Sequence, residues 1–138
     1  MMKRIPNVKL SLPSHPIFLG LIRMAISQVA KEMQFGKKEV KNIVLAIDEA
    51  CANVIKYAYQ GRYDKRIIIT AEDKDDRLEV SIRDFGKKAK PGSLRHRPLK
   101  KVRPGGLGIF FIRKIMDEVH YDTSSKIGTT LHLVKYKK

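Results

Sequence analysis

The sequence has little cysteine and no long hydrophobic run, and both features limit the classes of protein to which it can belong. Its single cysteine, Cys51, excludes an internal disulfide. The apolar stretch at residues 17–22 is far too short to cross a bilayer. Residues 1–6 do not lead into the apolar segment and cleavage site of a signal peptide. We therefore expect a cytoplasmic protein with no membrane association.

Acidic residues are also scarce. The chain of 138 residues has 14 Asp and Glu against 29 Lys and Arg, which gives a net charge of +15 with histidines neutral. Such a balance is typical of a protein that binds nucleic acid or an anionic surface. A solvated basic surface, or a basic face for one acidic protein partner, gives the same composition. With 43% hydrophobic residues, the chain can still bury the core of one domain, which we place at residues 1–138.

The spacing of apolar residues predicts an α+β fold. We expect a strand in residues 4–12, helices at 16–33 and 37–59, a hairpin of 66–71 with 78–82, a third helix from about 109, and strands near 119–123 and 129–136. Ser14 is the expected N-cap of the first helix. This order predicts a mainly antiparallel sheet with helices packed on one face.

Glu49 and Asn53 are separated by one helical turn and therefore lie side by side. Helix geometry places them on the same side as Asn42 and Lys56, opposite the core side. An acid and an amide there can act as a proton acceptor and a ligand of a hard metal, since Mg²⁺ takes few protein oxygens. Solvated polar residues on an outer helix face give the same pattern, and spacing alone leaves both interpretations open.

A glycine-rich segment opens the third helix. Gly105, Gly106 and Gly108, with Leu107 between them, let the backbone approach a ligand, and free N–H groups at a helix start attract phosphate. No Gly-Lys-Ser/Thr follows, so the segment is not a Walker P-loop. A plain turn or a hinge is the alternative.

Asp84 ends a predicted strand and is followed by Phe85 and Gly86. A carboxylate at this position can accept a hydrogen bond from the amino group of adenine, and the glycine can let the ring come near. Asp and Gly are also ordinary turn residues, so the tripeptide alone does not distinguish a nucleotide contact from a turn.

The segment after Asp84 has no periodic pattern, and we interpret residues 85–105 as a lid. It contains eight lysines and arginines and no acidic residue. Long loops in compact domains are usually functional or disordered. The basic lid can bind triphosphate, nucleic acid or an acidic partner, and a solvated loop is equally compatible with its composition.

Taken in order, these motifs resemble the ATPase superfamily of gyrase, Hsp90, histidine kinases and MutL. Residues 47–59 resemble its N-box, 84–86 its first glycine box, 105–119 its second, and 128–130 its terminal Gly-Thr signal. The length and residues 105–119 most resemble the bacterial anti-sigma factor serine kinases of sporulation and stress control. Lys88 departs from this pattern, since the family usually has a glycine or small residue there.

The resemblance implies a two-layer α/β sandwich of the Bergerat, histidine kinase-like ATPase type. Glu49 would be the general base, Asn53 would hold Mg²⁺ against the phosphates, and Asp84 would receive the adenine amino group. The other implied ATP contacts are Gly86, Gly105, Gly106, Leu107, Gly108, Thr129 and Thr130.

The implied function is that of an ATP- and Mg²⁺-dependent serine/threonine kinase. It would phosphorylate an anti-anti-sigma antagonist protein, sequester a sigma factor and form a homodimer. The alternative is a non-catalytic nucleotide-binding module that controls its partner by binding only. A third hypothesis, suggested by the charge, is a nucleic-acid binder on the same scaffold, whose affinity would fall steeply with salt.

Overall fold

The computed structural model describes residues 4–88 and 106–138, which form an antiparallel sheet and the helices that pack on it. The strands are β1 (Val8–Pro13), β2 (Arg66–Asp73), β3 (Arg77–Asp84), β4 (Glu118–Asp122) and β5 (Thr129–Tyr136). The helices are α1 (Leu19–Glu32), preceded by the 3₁₀ turn Pro16–Phe18, α2 (Lys37–Asn53), which continues as the π-helical turn Val54–Ala58, and α3 (Gly106–Ile115). The predicted α+β class with an antiparallel sheet is confirmed.

The strand order in the sheet is β1-β2-β3-β5-β4. The last strand of the chain therefore lies between β3 and β4 instead of at an edge. Its antiparallel register sets Thr129, the first residue of β5, opposite Asp84, the last residue of β3. This insertion joins two of the sequence motifs, and the order of the elements along the chain did not predict it.

The core lies on one face of the sheet because alternate residues of each strand point to that face. Ile69, Ile82 and Leu131 lie opposite one another across β2, β3 and β5, and all three are buried. Ile26 of α1 and Ile47 of α2 are buried in the same cluster. Burial of each such side chain stabilises the fold by about 1.5–3 kcal/mol, so packing against the sheet fixes the position of both helices.

Ser14 does not cap the first helix. The side chain of His15 instead caps the 3₁₀ turn that leads into α1, by accepting a hydrogen bond from the Ile17 N–H over 3.1 Å, and α1 itself has no side-chain cap. The Ser14 hydroxyl is buried beside the β1–β2 ladder, where it donates to the Arg62 carbonyl (2.7 Å) and accepts from the Lys65 N–H (3.0 Å). A serine hydroxyl can cap a helix or can link two loops by hydrogen bonds, and the tertiary packing places Ser14 in the second role.

The predicted lid falls outside the described residues for most of its length. Lys88, the last described residue of its first part, donates a hydrogen bond from its ammonium to the Thr123 carbonyl over 3.0 Å. Of the helices in residues 4–88 and 106–138, none combines the length and the apolar character needed to cross a membrane. The cytoplasmic location and the homodimer stay predictions.

Candidate nucleotide-binding site

Glu49 and Asn53 lie in the last two turns of α2, and both are half-buried. The neighbouring Asp48 is turned toward α1, where Arg23 binds its carboxylate over 2.7 Å. Within residues 4–88 and 106–138, neither Glu49 nor Asn53 uses its side chain in a hydrogen bond or ion pair. Two polar side chains that are half withdrawn from water and have no partner among the described residues are available to a ligand. The sequence had placed them on the outer side of the helix, and their partial burial is a finding of the structure.

The helix changes type directly after Asn53. In the turn Val54–Ala58 the hydrogen bonds span five residues, and the Tyr59 N–H donates to the Val54 carbonyl over 3.0 Å. Single π turns within helices frequently occur at functional sites. The sequence predicted a helix to residue 59 and gave no sign of this change, because one widened turn leaves the apolar spacing almost intact. Gly61, with φ of +80°, follows in the left-handed region.

Asp84 is buried at the end of β3, with 4% of its surface exposed. Its carboxylate accepts hydrogen bonds from the backbone N–H of Gly86, over 3.0 Å, and from that of Thr129. Burial raises the pKa of this carboxyl above its ordinary value, although these two N–H groups and the Arg83 charge act in the opposite direction. A carboxylate has about four acceptor positions, so Asp84 can still accept a hydrogen bond from a ligand.

Gly86 brings the end of β3 against the end of the helical segment. A Cβ atom at Gly86 would lie 2.3 Å from the Ala58 carbonyl oxygen and 2.8 Å from Cδ1 of Tyr59. The next residue, Lys87, donates its N–H to the same Ala58 oxygen over 2.9 Å. The absent side chain thus lets two protein segments touch, and the predicted proximity of Gly86 to adenine stays a prediction.

Gly128 makes a second close approach at the same place. Its φ is +75°, and a Cβ atom there would lie 2.0 Å from the Asp84 carbonyl oxygen and 2.7 Å from the Phe85 Cα. Thr129 lies opposite Asp84 and is buried with it, whereas Thr130 pairs with Arg83 and points to the other face of the sheet. The geometry therefore favours Thr129 over Thr130 as a ligand contact, and contact with ATP stays a prediction for both.

The predicted phosphate segment is described in part. Gly106, Leu107 and Gly108 form the first turn of α3, which packs against α2. The prediction that the glycines open a helix is confirmed for these residues, and Gly105 lies outside the described residues. A helix start carries unpaired N–H groups and a partial positive charge, both suited to phosphate.

The structure brings together three of the four motifs among the described residues: the end of the π-helical extension of α2 at Ala58 and Tyr59, Asp84 with Gly86, and Gly128 with Thr129. Sequence reasoning included Gly128 in the Gly-Thr signal and Tyr59 in the N-box but gave neither a role of its own. The Tyr59 hydroxyl accepts a hydrogen bond from the Phe85 N–H. A glycine directly before a predicted strand was an available signal for Gly128. No local signal marks Tyr59, because its partners are distant in sequence.

Comparison with known proteins agrees with this geometry. The family model described as the histidine kinase-like ATPase domain matches residues 12–135. Serine-protein kinase RsbW of Bacillus subtilis (strain 168) is 30% identical over 138 residues, covering 94% of this chain and 84% of the relative. The protein of the same name from Bacillus licheniformis (strain ATCC 14580) is 28% identical over 148 residues, covering 98% of this chain and 89% of the relative.

Solved structures share the fold. The RsbU and RsbW domains of a Mycobacterium tuberculosis protein superpose with a TM-score of 0.70 at 18% identity, over 96% of this chain and 32% of that one. A chain of the SiaB–SiaC complex from Pseudomonas aeruginosa superposes with a TM-score of 0.67 at 12% identity, over 96% of this chain and 90% of that one. The chain therefore belongs to the histidine kinase-like ATPase domain family and, within it, to the bacterial serine-protein kinases that its motifs resemble.

Proposed function

We propose that this kinase uses ATP and Mg²⁺ to phosphorylate a serine or threonine of a small antagonist protein, and that it acts as an anti-sigma factor by binding a sigma factor. The observation that carries the proposal is that the π-helical extension of α2 meets the end of β3 through Ala58, Tyr59 and Gly86, at the place where Gly128 packs on Asp84. Those segments hold the candidate base, the candidate metal ligand and the candidate adenine acceptor. The relatives named serine-protein kinases support the same chemistry.

Asp84 would select adenine. Its carboxylate is buried, is fixed by two backbone N–H groups and can still accept a hydrogen bond. The 6-amino group of adenine supplies the donor, whereas a guanine presents a carbonyl oxygen at that position and would meet a buried acceptor. Sites built on such a hydrogen bond reject the wrong partner strongly, because a buried polar group is left unpaired.

Asn53 would hold the metal. Its amide oxygen is the type of ligand that Mg²⁺ accepts, and Mg²⁺ usually takes only one or two protein oxygens beside those of the phosphates. The described residues contain no cluster of three His, Cys, Asp or Glu side chains that could hold a metal. A single amide ligand such as Asn53 suits an ion that takes its other oxygens from the nucleotide and from water. Bound Mg²⁺ would neutralise charge on the phosphate oxygens during transfer.

Glu49 would act as the general base. It stands one helical turn before Asn53, about 5–6 Å away between Cβ atoms, and no described residue occupies its carboxylate. It would accept the proton of the substrate hydroxyl as that oxygen attacks the γ-phosphorus and the bond from phosphorus to the β,γ-bridging oxygen breaks. Phosphoryl transfer depends mainly on such positioning and on charge neutralisation.

The base assignment is tested by Glu49→Gln, with Glu39→Gln in the first turn of α2 as the matched control. The two sites are about 15 Å apart along the helix. Phosphorylation of a candidate antagonist is followed by mass spectrometry of phosphoserine. We expect Glu49→Gln to lower kcat by about 10²–10⁴-fold while the Kd for ATP changes little, and Glu39→Gln to leave both near the wild-type values. A wild-type rate in Glu49→Gln refutes the role of Glu49.

The metal assignment is tested by calorimetric titration with ATP, with and without Mg²⁺. Asn53→Ala is compared with Asn42→Ala, the same change about 16 Å away on the same helix. We expect Mg²⁺ to strengthen binding to the wild type and to Asn42→Ala, and to strengthen it much less in Asn53→Ala. ATP binding without any phosphorylation of an antagonist would favour the binding-only module over the kinase.

Sigma-factor binding does not require catalysis, so Glu49→Gln should retain it. Analytical ultracentrifugation of the kinase with a candidate sigma factor measures this complex and reports at the same time whether the chain is a homodimer. The +15 charge requires a parallel titration with duplex DNA. Affinity for DNA that falls steeply with salt, in the absence of ATP binding, would favour the nucleic-acid hypothesis instead.

A further inference from the structure

We infer that Tyr59 is a positioning residue of the adenine pocket. Its hydroxyl holds the backbone that carries Asp84 and thereby sets the preference for a purine with a 6-amino group. The inference rests on the proposed function, in which Asp84 receives that amino group. It adds a residue to which neither the sequence motifs nor the comparisons assign a role.

Tyr59 follows the π-helical turn and is buried, with 4% of its surface exposed. Its hydroxyl oxygen accepts a hydrogen bond from the Phe85 N–H over 2.8 Å, and its proton is donated to the carbonyl oxygen of Arg66. The hydroxyl therefore joins the beginning of β2 to the residue that follows Asp84. Both partners are main-chain groups, so the contact constrains the course of the backbone.

The ring of Tyr59 acts on the next residue. A Cβ atom at Gly86 would lie 2.8 Å from Cδ1 of Tyr59, so the ring packs directly on that glycine. The Ala58 carbonyl in turn accepts the Lys87 N–H over 2.9 Å. Residues 85, 86 and 87 are thus each held by residue 58 or 59.

This attachment reaches the carboxylate of Asp84 through one further bond. The Gly86 N–H donates to Oδ1 of Asp84 over 3.0 Å. When residues 85–87 shift, the N–H that orients the carboxylate shifts with them. Hydrogen bonds weaken steeply as their geometry departs from the ideal, so such a shift loosens the orientation of the carboxylate. The Tyr59 hydroxyl therefore acts on the ligand only through Asp84.

Tyr59→Phe tests the inference because it removes the hydroxyl and keeps the ring. The matched control is Tyr63→Phe, the same chemical change at a tyrosine that is 49% exposed and contacts the His15 ring. Each protein is titrated with ATP and with purine riboside triphosphate, which carries hydrogen in place of the 6-amino group. The ratio of the two dissociation constants is the readout. A smaller folded fraction weakens both nucleotides equally and leaves the ratio unchanged.

We expect the wild type and Tyr63→Phe to prefer ATP by the same factor. In Tyr59→Phe we expect the affinity for ATP to fall about tenfold, equivalent to about 1.4 kcal/mol, and the affinity for the analogue to change little. In the Asp84→Asn background, Tyr59→Phe should then change the ratio little, because the two residues act as one unit.

The two levels of the argument can fail separately. A wild type that binds neither nucleotide refutes the proposed function and with it this inference. A wild type that prefers ATP, together with a Tyr59→Phe variant that keeps the full preference, refutes the positioning role alone. An equal loss of affinity for both nucleotides would also overturn it, since that result shows a structural role only.

Discussion

Replacing Gly128 by alanine should damage both the fold and the nucleotide site, and Gly61→Ala provides a control for the first effect. Both glycines have left-handed backbone angles, with φ of +75° at Gly128 and +80° at Gly61. A Cβ atom at Gly61 would have no neighbour within 4 Å, whereas one at Gly128 would lie 2.0 Å from the Asp84 carbonyl oxygen. The pair therefore separates the cost of the backbone angle from the cost of the collision.

The magnitude follows from these two costs. An L-residue in the left-handed region costs about 1–2 kcal/mol, and both variants should lose about that much free energy of unfolding. Overpacking adds about 1–3 kcal/mol at Gly128 only, because the atoms in the way belong to the backbone and cannot rotate aside. With a urea m-value of about 2 kcal/mol per M, the midpoint of Gly128→Ala should lie about 0.5–1.5 M below that of Gly61→Ala.

The assay combines urea unfolding with calorimetric titration of ATP under native conditions. Relief of the collision must move Asp84 or Phe85, so Gly128→Ala should also weaken ATP binding, while Gly61→Ala should bind ATP as the wild type does. Equal unfolding midpoints for the two variants would refute the packing argument. A destabilised Gly128→Ala with unchanged affinity for ATP would refute the link from Gly128 to the nucleotide site.

Two further predictions concern titratable groups. Burial raises the pKa of Asp84 above its ordinary 3.8, so the folded protein holds this proton more tightly than the unfolded chain does. The contribution of Asp84 to the free energy of unfolding should therefore fall as the pH rises from below 3.8 through the raised value. The amino group of bound adenine would stabilise the carboxylate, so ATP should lower the pKa of Asp84. NMR titration of its carboxyl carbon with and without ATP measures this change. A pKa that ATP does not move would contradict the adenine contact. Burial, with the Asp48 charge, raises the pKa of the Cys51 thiol to about 12. A disulfide reagent at neutral pH should therefore label Cys51 slowly in the native protein and faster as urea unfolds it. Rapid labelling of the native protein would contradict this burial.

The sequence by itself predicted the elements and several of the candidate residues. Strand β5 occupies Thr129–Tyr136, the range that alternation predicted, and the hairpin of β2 and β3 lies where two β-branched or alternating runs flank an acidic turn. Asp84 was correctly placed at the end of a strand. These predictions succeeded because the period of apolar residues is a local property, and each element must turn its apolar side to the core.

Only the tertiary structure decided which distant segments meet. The insertion of β5 between β3 and β4 sets Gly128 and Thr129 against Asp84. The Tyr59 hydroxyl reaches the Phe85 N–H across 26 positions of the chain. Local spacing fixes which face a side chain occupies, but the packing of whole helices and strands on one sheet fixes its neighbours. The adenine pocket is built from such neighbours, so its candidate residues could be predicted from the sequence and its geometry could not.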